Sequence, residues 1–363
     1  MKSLKDFEND LNKCSKCGLC QQVCPIFRIT QNDCAVSKGK FIMLHGVTKG
    51  DLKLSKNMNK YFDMCLKCGK CNGFCPSGID VCQILNVAKS EYVKTTIAGR
   101  VSEILLSHNV FSFVMSMFYN LSKPFRHSLR KKNAAIKVMY FKGCVNQINP
   151  MTDNFLHKIF KNISVDIIAP EFDCCGLPFL SEGNLERFEQ AAYINSQFFN
   201  AQYDYLVTDC ASCESTILDY PKYIEAKDVS DKSINWGDLI AEKGIKFRFN
   251  KRIRVTFHKP CHLKSDAFFE EIIKNCDNVD YVKMEDYDSC CGFAGSFAVK
   301  NRAFSMQLSR QKAQNVKNIN VDYVITTCPA CVLGLKQGLI AIGSKTKVVS
   351  LLEFLSKANK ITI

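Results

Sequence analysis

CSKCGLCQQVCP at residues 14–25 returns as CLKCGKCNGFCP at residues 65–76, fifty-one positions later, with all four cysteines and the proline at the same spacing. The pattern C-x2-C-x2-C-x3-C-P is a ligand run for a [4Fe–4S] cube, which takes four thiolates. Three closely spaced cysteines wrap one cube on a tight loop. The fourth, just before the proline, points to the other cube, so two runs complete each other. Cys14, Cys17, Cys20 and Cys75 are expected to hold one cube, and Cys65, Cys68, Cys71 and Cys24 the second. A pair of zinc knuckles is the competing assignment, but zinc closes a tetrahedron with four ligands and has no use for the crossed pattern. Gly18 and Gly69 let the backbone approach each cube, and Pro25 and Pro76 cannot continue a preceding helix.

The rest of the chain sets the context. Its 363 residues allow two or three domains, and 47% hydrophobic content supports a sizeable core. The 21 cysteines fall in CxxC and CC groups, and Met1–Asn12 is charged and polar. The expectation is a reducing, cytoplasmic compartment with thiolates holding metal. The formal charge of +14 is spread along the chain, with a local run at Arg126–Lys132. That suits a solvated lysine-rich surface, or a face for an acidic partner or the inner membrane leaflet. No basic stretch is interleaved with aromatics, so nucleic acid is not an expected partner.

Forty residues separate Cys24 from Cys65, and Ser37–Thr48 and Ser55–Met64 mix apolar and polar residues at helical spacing. This predicts a helical dicluster domain of the ferredoxin type over residues 1–100. Cys34 and Cys82 lie outside the ligand runs and are expected to be buried free thiols.

A second repeat follows. FKGC at Cys144, DCCG at Cys174–Cys175 and CASC at Cys210–Cys213 return as HKPCH at Cys261, SCCG at Cys290–Cys291 and CPAC at Cys328–Cys331. The flanks repeat too: VDIIAPEFDCCG against VDYVKMEDYDSCCG, and YDYLVTDCASC against VDYVITTCPAC. Short β-rich runs precede the cysteines at Ile136–Phe141, Tyr205–Thr208, Ile253–Phe257 and Tyr323–Thr326, with helical patterns at Leu185–Phe199 and Asn301–Asn315 between them. Alternating strands and helices predict α/β units with a parallel sheet, whose sites form at the carboxyl ends of the strands. Each copy is expected to gather five thiolates at one sheet edge, more than a closed tetrahedral zinc site takes. Gly176 and Gly292 relieve crowding behind the adjacent pairs. Structural zinc, especially in the first copy, is the alternative. Cys276 has no counterpart in the first copy and reads as a bystander.

Tandem CCG-containing domains behind a dicluster ferredoxin resemble the heterodisulfide-reductase-type iron–sulfur proteins, including the iron–sulfur subunits of glycolate oxidase and anaerobic glycerol-3-phosphate dehydrogenase. HKPCHL and CCGFAGSF carry the resemblance most specifically. It implies metal ligation by Cys144, Cys174, Cys175, Cys210 and Cys213 in the first copy, and by Cys261, Cys290, Cys291, Cys328 and Cys331 in the second. It also implies one or two noncubane [4Fe–4S] clusters there, beyond the two cubanes, and a duplicated, Rossmann-like α/β fold for the cysteine-rich domains. Having both Cys328 and Cys331 favours the reductase branch over the glycolate branch. The expected organisation is the ferredoxin-type domain at 1–100, a linker at 101–133, and cysteine-rich domains at 134–250 and 251–363.

Within the linker, Ile104–Ser122 contains no Asp, Glu, Lys or Arg, yet Asn109, Ser112, Ser116 and Asn120 form a polar helical stripe. The expectation is an amphipathic helix, packed on protein or docked on a membrane surface. His258 and His262 flank Cys261 and are candidates either for ordinary local bonding or for proton delivery. No GxGxxG follows a strand and no GxxxxGK[ST] occurs, so neither flavin nor nicotinamide is expected in this chain. The functional expectation is an electron-transfer subunit. A FAD-dependent partner would oxidise a 2-hydroxy acid such as glycolate or lactate, and electrons would leave to a quinone or disulfide. The alternatives are a catalytic disulfide reductase and a zinc-stabilised interaction module.

Overall fold

The computed structural model describes residues 2–95, 129–131, 134–148, 151–161 and 163–362. The expected linker helix at Ile104–Ser122 lies outside these residues.

Residues 2–95 are helical throughout their regular elements. Helices α1 (Ser37–Lys49), α2 (Lys56–Asp63) and α3 (Val81–Lys94) enclose a core of Phe41, Leu44, Phe62, Ile84 and Leu85. Ser55 Oγ accepts from Met58 N at 3.3 Å to start α2, and Asp80 accepts from Gln83 N at 3.1 Å to start α3. Pro25 opens a short helix, Pro25–Thr30, where its missing N–H is no loss.

The first cysteine-rich copy has strands β1 (Ile136–Phe141), β2 (Val165–Ile168), β3 (Tyr205–Thr208) and β4 (Ser233–Asn235). Helices α4 (Met151–Phe160), α5 (Leu185–Phe198) and α6 (Ala211–Leu218) connect them, and α7 (Trp236–Glu242) follows. The second copy has β5 (Lys246–Phe257), β6 (Cys276–Tyr281), β7 (Tyr323–Thr326), β8 (Lys347–Ser350) and β9 (Lys360–Thr362), with α8 (Ala267–Lys274), α9 (Arg302–Asn318), α10 (Pro329–Ala341) and α11 (Leu351–Ser356). The sheets are ordered β2-β1-β3-β4 and β6-β5-β7-β8, each parallel along that path. In addition, β9 pairs antiparallel with the first part of β5.

Strand β5 is longer than the apolar run Ile253–Phe257. Its leading segment alternates, with Phe247 and Phe249 inward and Lys246, Arg248 and Asn250 outward, and it crosses the expected boundary at 250/251. The register on β6 breaks between Arg248 and Ile253, which lets one strand serve β9 and β7 in turn.

The two copies share a core. Val138, Tyr140 and Trp236 of the first pack in one apolar cluster with Phe247, Phe257, Phe268 and Leu355 of the second. Trp236 is 1% exposed, and burying a side chain of that size stabilises by roughly 2–3 kcal/mol. The N-terminal domain is held by a smaller apolar cluster in which Ile26, Met64 and Leu66 meet Cys290, Phe297 and Leu308. Charges add to the junction: Lys89 lies 2.5 Å from Asp63, and Lys300 lies 2.5 Å from Glu182 and 3.4 Å from Asp63. Three segments distant in sequence thus meet at one network. Among the described residues, no helix is long and apolar enough to cross a membrane.

Candidate functional site

Two small cavities in the N-terminal domain reproduce the crossed pattern. Cys14, Cys17, Cys20 and Cys75 line one, with Phe41 and Ile79 in its walls. Cys24, Cys65, Cys68 and Cys71 line the other, with Ile26 and Leu66; Cys71 borders both. Cys75 thus lies with the first run and Cys24 with the second. Gly18 and Gly69 adopt left-handed φ of +85° and +71°, which lets each loop reverse tightly over its cavity. The backbone N–H of Lys67 points at Cys65 Sγ, 3.4 Å away. Four thiols and apolar walls fit a cube in each cavity, and the second adds an N–H aimed at sulfur. Burial pushes the Cys71 thiol up to about 12, so loading metal there must displace protons.

The extra cysteines divide. Cys82 borders the second cavity as a fifth thiol, whereas Cys34 is exposed rather than buried as expected. It lies in a short turn, Asp33–Ala35, opened by Asn32, whose side chain accepts from Cys34 N at 2.9 Å. Cys276 begins β6 and is buried in the shared core.

The two sets of five later cysteines open onto the same space. All ten line one cavity of about 270 Å³, with Cys65 and Lys67 of the N-terminal domain on its rim. Each set follows the carboxyl ends of its own parallel strands, and the shared core turns those ends toward each other. Ala211 N donates to Thr327 O at 3.1 Å, and Ser212 Oγ lies 3.7 Å from Cys328 Sγ, so the two CxxC loops touch. Gly176 and Gly292 have φ of +89° and +84°. A Cβ would lie 2.6 Å from the Phe188 ring at the first and 2.6 Å from Ser305 O at the second. The glycine of each CCG is therefore required by conformation and by contact with the following long helix. Five thiols per copy exceed the four of a zinc tetrahedron and fit an iron–sulfur group.

The two histidines have different surroundings. His262 bridges Ser212 Oγ (Nδ1, 3.0 Å) and Lys67 O (Nε2, 2.8 Å). His258 is wholly buried, and burial together with the Lys312 ammonium holds its imidazole well below the usual range. Several buried groups of the two copies were not apparent from motifs. Burial raises the carboxyls of Asp209 and Glu214, each to about 7. Lys312, 2% exposed, donates to Ser289 Oγ at 3.2 Å and to Asp286 O. In the first copy Asn195 takes the corresponding place on α5 and accepts from Asp173 N at 2.8 Å. Aligning the repeat through its helices would have exposed this Asn-to-Lys difference.

The second N-terminal cavity abuts the second copy. Cys24, Cys68 and Cys261 pack in the same cluster as Cys290, and Lys70 pairs with Asp288 at 2.9 Å. The second N-terminal cavity shares Cys65 and Leu66 with the walls of the ten-cysteine cavity, and the first shares none. The spatial order is first cavity, second cavity, shared cavity.

Residues 10–79 match the 4Fe-4S dicluster domain family, and residues 138–218 and 255–336 each match the cysteine-rich domain family. A fumarate reductase (CoM/CoB) subunit of Methanothermobacter marburgensis is 27% identical, over 96% of this chain and 72% of its own length. The probable glycolate oxidase iron-sulfur subunit of Bacillus subtilis is 22% identical, over 97% of this chain and 94% of its own. Among solved structures, a hypothetical protein from Helicobacter pylori shares the fold, with a TM-score of 0.53 and 11% identity over 89% of this chain and 67% of that one.

Proposed function

The chain belongs to the iron–sulfur proteins that join a 4Fe-4S dicluster domain to two cysteine-rich domains, and on that premise we propose that it is the electron-transfer subunit of a flavin-linked oxidoreductase. The observation that carries this reading is the ordered succession of thiol-lined cavities ending in one space shared by both copies. Iron–sulfur groups bound there supply one-electron transfer. Cys14, Cys17, Cys20 and Cys75 hold the outer cube, and Cys65, Cys68, Cys71 and Cys24 the inner one. Cys144, Cys174, Cys175, Cys210 and Cys213 face Cys261, Cys290, Cys291, Cys328 and Cys331 across the terminal cavity, holding noncubane groups. The apolar walls exclude water, and the His262 bridge fixes the loop of Cys65 and Cys68 against the second copy.

The partner carries the flavin. Oxidation of a 2-hydroxy acid such as glycolate or lactate to the 2-oxo acid releases two electrons and two protons. The electrons pass singly along this chain, and a quinone takes up two electrons and two protons to become the quinol. The cytoplasm, with peripheral contact at the inner membrane face, is the setting this reading implies.

The facing thiol sets favour a second reading, in which the terminal acceptor is a disulfide. Two electrons and two protons then break one S–S bond and give two thiols. Both readings are tested on anaerobically reconstituted protein. Reduction of a short-chain quinone that requires the flavoprotein and its 2-hydroxy acid supports the first. Reduction of a small mixed disulfide by this chain with reduced viologen as donor supports the second. Oxidation of glycolate, lactate or glycerol 3-phosphate by this chain alone would overturn the division of labour.

A further inference from the structure

The duplicated cysteine sets are equal in sulfur and unequal in nitrogen. His258 stands three residues before Cys261 in HKPC, and the first copy has Phe141 three residues before Cys144 in FKGC. Both side chains are wholly buried. Phe141 packs among Phe172, Met139 and Cys213 in an apolar cluster and needs no polar partner. His258 does: its backbone N–H donates to Ile325 O, but neither ring nitrogen has a hydrogen-bond partner. An imidazole buried without a partner costs on the order of 1–3 kcal/mol. A ring nitrogen of His258 and the sulfurs of Cys291 and Cys331 all lie within 4.8 Å of one another. That spacing is within the range of ligands sharing one metal ion, and imidazole is an ordinary iron ligand beside thiolate.

We propose that His258 supplies a nitrogen ligand to the metal centre of the second cysteine-rich copy, alongside Cys291 and Cys331, so that the second centre has a mixed sulfur–nitrogen donor set and the first a purely sulfur one. The inference rests on the reading that the cysteine-rich copies bind iron. A neutral imidazole nitrogen beside the same five cysteines adds a donor without adding negative charge, so the two centres differ in ligand type while their thiols are equal in number. The second copy is also the one that abuts the inner N-terminal cavity.

The test is electron–nuclear double resonance on the reconstituted full-length chain, grown with natural-abundance and with 15N-labelled histidine. A histidine nitrogen coupling is expected on one cysteine-rich iron signal. It is lost in His258→Phe, which copies the packing of Phe141, and in His258→Asn, while His262→Gln retains it. The N-terminal cube signals, unchanged in all variants, report folding. A cysteine-rich iron signal without nitrogen coupling in the parent protein, or coupling that survives both His258 substitutions, overturns the assignment of His258 alone. Absence of any cysteine-rich iron signal in the parent protein instead removes the underlying reading, and the inference with it.

Discussion

His262 Nε2 lies 2.8 Å from the carbonyl oxygen of Lys67, joining the second cysteine-rich copy to the loop between Cys65 and Cys68. A carbonyl can only accept, so Nε2 donates to it, while Nδ1 shares a hydrogen bond with the Ser212 hydroxyl at 3.0 Å. One imidazole thereby fixes three parts of the chain around the shared cavity. His262→Ala is expected to cost about 1–3 kcal/mol in urea unfolding, from two lost hydrogen bonds, and to slow reduction of the cysteine-rich centres in rapid-mixing experiments. Unchanged stability and unchanged reduction rate would refute this role.

Crossed ligation is testable one cysteine at a time. Cys24→Ser is expected to damage the cube of the second run, and Cys75→Ser the cube of the first. Electron paramagnetic resonance of the reduced variants distinguishes them. Loss of each variant's local cube instead would break the assignment drawn from the two cavities.

Asp80 caps α3, accepts from Asn72 Nδ2 at 2.8 Å and pairs with Lys222 of the first copy at 2.7 Å. Burial raises its carboxyl, but the Lys222 pairing and these hydrogen bonds prevail and hold it below the ordinary 3.8. A carboxyl lowered by folding stabilises fully above its unfolded value and loses that contribution as pH falls through the lower folded value. Asp80→Asn is therefore expected to cost about 1–2 kcal/mol, with the same deficit at every pH from about 5 to 7. Urea midpoints across that range check it, and a deficit that fades on going from pH 7 to pH 5 contradicts it.

The two motif glycines differ in what confronts them. A Cβ at Gly292 would meet the backbone oxygen of Ser305 at 2.6 Å, whereas one at Gly176 would meet the Phe188 ring, a side chain with some freedom to shift. Left-handed backbone costs a non-glycine residue roughly 1–2 kcal/mol at either position. Gly292→Ala is expected to destabilise beyond that amount and by more than Gly176→Ala. Thermal melts of the two variants give the order.

Much of this protein was legible in local sequence. The cysteine spacing, repeated at Cys14 and Cys65, assigned crossed partners that lie together in the two N-terminal cavities. Strands Ile136–Phe141, Tyr205–Thr208 and Tyr323–Thr326 could be read because continuous apolar, β-branched and aromatic runs mark strands buried on both faces. The start of β5 followed the other rule, an apolar–polar alternation with one face exposed, and a search for apolar runs passed over Phe247 and Phe249. Cys34 and Cys82 have no local mark that separates an exposed turn from a cavity wall. Tertiary structure alone decided that ten cysteines from two copies face one space, and that Cys68 lies beside Cys261. Spacing determines which thiols share a loop or strand end. Which loops face each other depends on how Trp236, Tyr140 and Phe257 pack the two sheets into one core, through contacts between residues about a hundred positions apart that no local period encodes.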